Sequence, residues 1–411
     1  MLNRIKENVF CSLDIGNQYI KAGMFKVAEN NTLEVQGLYH DKIYGYQQSS
    51  VTNLNEFAEC IQQTLLNLEK KSGMKAKRIQ VGIGGDLIEV KSTKTEIPLT
   101  DRGKKIVHLR DIERINRQAR LLNTNIDEEV IHSLAQYYVV DANIAINPIG
   151  LYGRKLAVQS LLFIVNSSTI QNVQQAIHQA GYDVAHVFSS SILAAYALSD
   201  EDVMKKECVV MDMGAQTTNI MFFKGGILKS YRRIKWGGLS ITSHIAQVLN
   251  LPLEMAEEIK KDYGTLIFSN QHQDEEILVK RENQYVPIKR KIIFEAISSS
   301  VAEFSQEIKQ WLSEIVIDDK LKCPIIITGG GGLLAGMLEK LQSETGMNVS
   351  LAKNRIPTKL SAHNISLFSS VIGLAENGFN DKISLPYKVE TDDRWPHKMV
   401  QRIREIYQEY F

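Results

Sequence analysis

Two distant stretches of the chain share one pattern of apolar and polar positions. VVMDMGAQTTNIMFFKGG, Val209 to Gly226, is an apolar run, an Asp-Met-Gly, a polar turn and a second apolar run, which predicts two buried strands joined by a tight turn. FCSLDIGNQYIKAGMFK, Phe10 to Lys26, has the same layout as CVVMDMGAQTTNIMFFK, Cys208 to Lys224. Asp14 falls on Asp212, Gly16 on Gly214, Gln18 on Gln216, Phe25 on Phe223 and Lys26 on Lys224. An internal repeat of this kind predicts duplicated α/β domains facing each other across a cleft. A third apolar run, CPIIITGGGGLLAGMLEKL from Cys323, predicts a buried strand running through four glycines into a helix. Thr265 to Pro287 is polar with short alternating pieces and predicts a small sheet over the cleft, followed by a long amphipathic helix, IKRKIIFEAISSSVAEFSQEIKQWLSEI. The last stretch, RWPHKMVQRIREIYQEYF, places Met399, Val400, Ile403, Ile406, Tyr407, Tyr410 and Phe411 on one arc of about 140° at roughly 100° per residue.

Composition narrows the picture. At 411 residues the chain exceeds the size at which one core stays single, so two or more subdomains are expected. Lys plus Arg is 48 against 47 for Asp plus Glu, which argues against a nucleic-acid groove as the main business. Cys11, Cys60, Cys208 and Cys323 are far apart, three of them in or beside apolar runs, and read as reduced core thiols of a cytosolic protein. The N-terminal MLNRIKENVF has no apolar signal core, and no apolar run reaches the ~20 residues needed to cross a bilayer.

The paired Asp-x-Gly turns suit a phosphate site. Glycine lets backbone N–H groups approach an anion, and an aspartate before each turn is placed to hold Mg²⁺ through water. The glycine run after Cys323 contains no Gly-x-x-x-x-Gly-Lys-Ser/Thr, and Gly330, Gly332 and Gly336 miss the dinucleotide spacing by one residue.

Two Asp-x-Gly turns followed by Thr-Gly-Gly-Gly resemble the ATP-binding superfamily of actin, sugar kinases and heat-shock chaperones. More specifically, the chain resembles the FtsA family of bacterial cell-division proteins over nearly its whole length, through SLDIGNQYIKAG, VGIGGDLIEV, INPIGLYGRKLAVQSLLFIVN, WGGLSITSHIAQVLNLPLEMAEEIKKDYG and IIITGGGGLLAG. The implied fold is α/β: actin-like duplicated RNase H-like domains around an ATP cleft, with an FtsA-type inserted subdomain and a C-terminal amphipathic helix. The implied layout puts the first actin-like domain at 1–84 and 163–206, with the inserted subdomain at 85–162. It puts the second domain at 207–240 and 301–367 and a small subdomain over the cleft at 241–300. A return to the first domain at 368–379, a linker at 380–395 and the membrane helix at 396–411 complete it.

Carried onto this sequence, the resemblance makes Asp14, Gly16, Asn17 and Gln18 the first phosphate loop, with Lys21 as its lysine, and Asp212, Gly214, Ala215, Gln216 and Thr217 the second. Gly237 and Gly238 match a Gly-Gly pair near the nucleotide, Glu257 and Lys260 a nucleoside-lining pair, and Gly329, Gly330 and Gly331 the adenosine loop. Without the resemblance, Glu257 and Lys260 read as a surface ion pair three apart on a helix. Asp14 and Asp212 are the implied Mg²⁺ residues. The second loop departs from the family's Asp-x-Gly-Gly-Gly-Thr, Asn219 stands where an aspartate is usual, and Ser189 where relatives carry Glu or Gln able to orient water. ATP binding with weak or absent hydrolysis follows. His244 stands where the family more often has Asp and reads as a helix-surface residue.

The implied partners are the C-terminal tail of the tubulin homologue FtsZ, further copies of the chain in a filament, other division proteins, and the cytoplasmic face of the membrane at the division site. Lys289, Arg290 and Lys291 are the basic residues suited to an acidic tail, and Ser300 replaces an arginine common in relatives. The terminal arc carries the membrane reading, although Lys398, Arg402 and Arg404 are balanced by Glu405, Glu409 and the terminal carboxylate. A PilM-type actin-like pilus adaptor and a sugar-kinase-like enzyme are the alternatives; the latter needs a catalytic aspartate beyond the loops, and the sequence offers none.

Overall fold

A computed structural model describes residues 9–29, 32–198, 201–267, 275–281, 284–315, 323–353 and 360–383. The terminal arc Met399, Val400, Ile403, Ile406, Tyr407, Tyr410 and Phe411 therefore lies outside the described residues.

The chain opens with three antiparallel strands, β1 (Val9–Ile15), β2 (Tyr19–Val27) and β3 (Leu33–Lys42), then a short hairpin of β4 (Tyr46–Gln47) and β5 (Ser50–Val51). Helix α1 (Leu54–Ser72) starts at Asn53, whose side chain accepts the Glu56 N–H, and stops at Gly73 in the left-handed region. Strand β6 (Arg78–Ile83) returns parallel to β1. A second unit follows: β7 (Glu89–Pro98), β8 (Lys105–Ile106), α2 (Leu109–Leu122), β9 (Glu128–Val140), β10 (Asn143–Ala145), β11 (Tyr152–Gly153) and β12 (Lys155–Asn166). Its sheet runs β10-β9-β12-β7 and packs α2 over its own small core of Ile97, Val107, Ile115, Tyr138 and Val158.

The chain then returns through α3 (Ser167–Gln179), β13 (Asp183–Ser189), α4 (Ser190–Leu198) and α5 (Glu201–Lys205). Strand β13 completes a five-stranded sheet in the order β13-β6-β1-β2-β3. The second half repeats the scheme with β14 (Glu207–Met213), β15 (Thr218–Lys224) and β16 (Ile227–Ile234). Helices α6 (Gly238–Leu249) and α7 (Leu253–Tyr263), the hairpin β17 (Glu276–Arg281) and β18 (Gln284–Lys289), and α8 (Arg290–Ile315) follow. Last come β19 (Ile325–Thr328), α9 (Met337–Thr345), β20 (Val349–Leu351), α10 (Ala362–Leu367) and α11 (Ser369–Ile383). The second sheet, β16-β15-β14-β19-β20, has the same layout as the first, three antiparallel strands continued by two parallel ones.

Several expected boundaries fall inside continuous elements. Helix α8 runs unbroken through 300–301 and β12 through 162–163, because no Gly or Pro interrupts either stretch. Helix α11 continues past 379 to Ile383.

The inserted unit touches both halves. His132 of β9 is fully buried between Phe163 and Phe188, and the Ser189 N–H donates to its Nε2 at 2.8 Å. Burial pushes this imidazole down to about 3, so it stays neutral. Across the molecule, Gln136 donates to the carbonyls of Leu228 and Lys229 at 3.0 and 2.7 Å, and thus ties the insert to β16, the edge strand of the second sheet.

Candidate functional site

The two repeated turns are built alike. The Gly16 N–H donates to the Tyr19 carbonyl at 3.2 Å, and the Gly214 N–H to the Thr217 carbonyl at 2.9 Å. In both, the aspartate sits two residues before the glycine, at the penultimate position of a central strand.

What surrounds each aspartate differs. Asp14 is 5% exposed, and both its oxygens accept a serine hydroxyl: Ser190 on Oδ1 and Ser370 on Oδ2, each at 2.5 Å. Lys21, its cross-strand partner in the hairpin, stands 3.5 Å away. Asp212 has Asn219 as the corresponding partner, and Asn219 Oδ1 is itself taken by Tyr231 at 2.7 Å and Arg233 at 3.3 Å. Burial pushes the Asp212 carboxyl up to about 6; Lys21 and Asn219 pull it down, while the Asp14 charge adds to the rise.

The second turn is wrapped by backbone. Gly238 and Leu239 N–H groups donate to the carbonyls of Gly214 and Ala215 at 3.0 and 2.7 Å. A Cβ on Gly237 would lie 2.6 Å from both carbonyl oxygens, so only glycine allows this approach. Gly329 has φ +85°, and a Cβ there would stand 2.4 Å from the Met213 carbonyl oxygen. Gly330 and Gly331 continue into a 3-10 turn directly beneath the Asp212 strand.

Glu257 and Lys260 form no surface pair. Their ion pair measures 2.6 Å, with side chains only 14% and 13% exposed. Lys260 also donates to the Gly238 carbonyl at 2.9 Å and Thr242 Oγ1 at 2.8 Å, while the Thr242 hydroxyl donates to Glu257 at 2.5 Å. Burial favours the neutral forms of both; in Glu257 the bonds from Lys260 and Thr242 outweigh it and hold the carboxyl low, whereas Lys260 stays below the ordinary lysine range. The neighbouring Lys261 donates to Tyr19 Oη at 2.7 Å, reaching from α7 to the first turn. The tips of the two turns meet directly: Asn17 Nδ2 donates to Gln216 Oε1.

The structure thus brings together Asp14, Gly16, Asn17, Lys21, Asp212, Gly214, Ala215, Gln216, Thr217, Gly237, Gly238, Glu257, Lys260 and Gly329 to Gly331; Gln18 enters through its carbonyl, which accepts the Ile43 N–H at 3.2 Å. The basic run sits apart and is largely engaged: Arg290 pairs with Glu275 at 2.6 Å and Lys291 with Glu295 at 3.8 Å. Ser300 is buried and accepts the Trp236 indole N–H at 3.2 Å, so its side chain faces the core. Ser189 turns its hydroxyl to Ser191 at 3.2 Å; the serine facing a cleft carboxylate is Ser190. His244 meets Ser299 at 2.9 Å. Ser190, Ser370 and Thr242 give no sequence signal as site residues, beyond the serine triplet at 189–191.

Two repeated sheets with glycine-lined turns and carboxylates at their facing ends define an actin-like α/β protein. Solved structures share that fold: a PilM-PilN type IV pilus biogenesis complex (TM-score 0.64, 18% identity, 90% of this chain and 98% of that one) and MreB5 of Spiroplasma citri bound to ADP (TM-score 0.54, 11% identity, 92% and 99%). The profile of the cell division protein FtsA matches residues 209–373, and that of the SHS2 domain inserted in FtsA matches 85–164; together they span over half the chain. The cell division protein FtsA of Streptococcus pneumoniae is 27% identical over 375 residues, covering 90% of this chain and 80% of that protein. The chain belongs to the FtsA family.

Proposed function

We propose that the chain is an adenine-nucleotide-binding, filament-forming adaptor that ties FtsZ filaments to the cytoplasmic membrane at the division site. The observation that carries the nucleotide part is the facing pair of Asp-x-Gly turns, closed by glycines where a Cβ would collide with backbone. In this reading the phosphates of ATP lie between the turn of Asp14, Gly16, Asn17 and Gln18, with Lys21, and the turn of Asp212, Gly214, Ala215, Gln216 and Thr217. Gly237, Gly238 and Gly329 to Gly331 line the remainder, and Glu257 and Lys260 bound the nucleoside side. The backbone N–H groups of these turns bind and orient the anion.

Magnesium fits the same place. Asp212 is a carboxyl raised by burial and by a second carboxylate, and a divalent cation held through water by Asp212 and Asp14 would relieve both effects. When bound, the ion would neutralise phosphate charge. Hydrolysis is slow or absent in this reading, because the Ser189 and Ser190 hydroxyls are short and already engaged.

The FtsZ tail is assigned to the small subdomain of β17, β18 and the start of α8, where Leu278 and Tyr285 are exposed beside Lys289. Membrane attachment is assigned to Met399, Val400, Ile403, Ile406, Tyr407, Tyr410 and Phe411; among the described residues no helix is long and apolar enough to cross a membrane. Multiple helices along one filament supply avidity that a single near-neutral helix lacks. Co-sedimentation with liposomes, comparing the full chain with one ending at Asp393, tests the reading. Only the full chain should pellet with lipid, and it should carry an FtsZ-tail fusion with it. Equal behaviour of the two chains would remove the membrane helix from the account.

A further inference from the structure

We propose that the Asn17–Gln216 side-chain bridge is a specificity device that tilts the cleft towards nucleoside diphosphate over triphosphate; this rests on the nucleotide reading above. The bridge joins residues 199 apart in sequence, and it lies between the tips of the two turns. In that reading the phosphate chain runs towards the tips of the turns, so a third phosphate meets the bridge and a diphosphate ends short of it.

The chemistry of the bridge opposes a phosphate. Asn17 spends a side-chain N–H on Gln216, and the atom Gln216 presents is an oxygen, which cannot donate to an anion. Asn17 is also held in that orientation. Its Oδ1 accepts the Ser49 hydroxyl at 3.0 Å, so turning the amide over would cost this bond as well. Ser49 is buried and sits at φ 61° in the two-residue turn between β4 and β5, which fixes the place of its hydroxyl. On its other side Gly85, at φ 72°, approaches so closely that a Cβ would stand 2.6 Å from Ser49 Oγ. The first turn therefore presents a fixed amide. The second presents a glutamine at a position that a smaller residue would leave open to the ligand.

Loss of one such hydrogen bond corresponds to a factor of about 2 to 10 in affinity. The test is a pair of binding constants on the full chain with magnesium, for ADP and for a non-hydrolysable ATP analogue. The wild type should bind ADP about fivefold or more tighter, and the ratio should fall to near one or invert in Gln216→Gly. Asn17→Ala should move the ratio the same way, which guards against a folding defect in one variant. Apo protein supplies a second readout: a double-mutant cycle of Asn17→Ala and Gln216→Ala on urea unfolding should show coupling between the two positions. Equal or tighter binding of the triphosphate analogue by wild type overturns the proposal, as does a diphosphate preference that neither variant changes. Absence of binding by both nucleotides overturns the nucleotide reading itself, and the proposal with it.

Discussion

The two Asp-x-Gly turns are copies in backbone and opposites in how they are held. The first is held by side chains: Ser190 and Ser370 each bond one oxygen of Asp14, Lys21 stands beside it, and Ser49 fixes Asn17. The second is held by main chain: Gly238 and Leu239 bond its carbonyls, and Gly237 and Gly329 press against it where no side chain fits. Duplication of a strand–turn–strand unit reproduces the hydrogen-bonded turn, because that depends only on the local chain. The electrostatics come from elements that arrive later in each half, and these have diverged. The first turn is consequently sensitive to lost partners, while added atoms trouble both, since a Cβ on Gly16 would stand 2.7 Å from the Tyr19 carbonyl oxygen.

The largest effect should come from adding atoms to the second turn. Gly329→Val forces a branched side chain into φ +85° and against the Met213 carbonyl, and we expect a loss of at least about 3 kcal/mol, seen as loss of soluble protein or a sharply lowered urea midpoint. Removing partners from the first turn should rank next. Asp14→Ala leaves two buried serine hydroxyls and Lys21 without their acceptor, at a cost of about 3 kcal/mol.

Asp212→Asn should go the opposite way, and its pH dependence sharpens the contrast. A carboxyl whose folded value is raised from 3.8 to about 6 binds more protons folded than unfolded between those limits. Wild-type stability should therefore fall as pH rises from about 4 to 6 and level off above. In the nucleotide-free protein the asparagine variant should be more stable than wild type by roughly 1–3 kcal/mol at pH 7, the advantage vanishing below about pH 4. A thermal-unfolding series across that range decides it; an advantage that grows on acidification would reverse the assignment. The smallest effect should be Lys261→Met, which removes a partly exposed bond to Tyr19 and a 3.7 Å ion pair with Glu257 and should cost under about 1 kcal/mol by urea unfolding.

Those parts of the molecule that repeat or carry glycine were legible in the sequence. The hairpins at Asp14 and Asp212, the glycine strand-to-helix turn and the long helix after Lys289 all follow from local pattern, and the actin-like fold follows from their order. Ser190 and Ser370 were not legible, since they lie 176 and 356 residues from the aspartate they bond and a lone serine carries no periodicity. The Glu257–Lys260 spacing fits an exposed helix pair equally well; only packing against Gly238 and Thr242 shows it to be enclosed. The place of Ser300 was not legible either: the helix turns this position towards Trp236, which stacks on Phe304 with centroids 3.9 Å apart.

The central claim is that a nucleotide lies between the two turns, and equilibrium binding of Mg-ADP to the full chain tests it most directly. The account predicts saturable binding at one site, weakened at least about tenfold by Gly214→Val, whose side chain would crowd the turn at the Thr217 carbonyl, and unaffected by Lys289→Ala. A folded protein that binds no nucleotide, or one whose affinity is indifferent to Gly214, would contradict it.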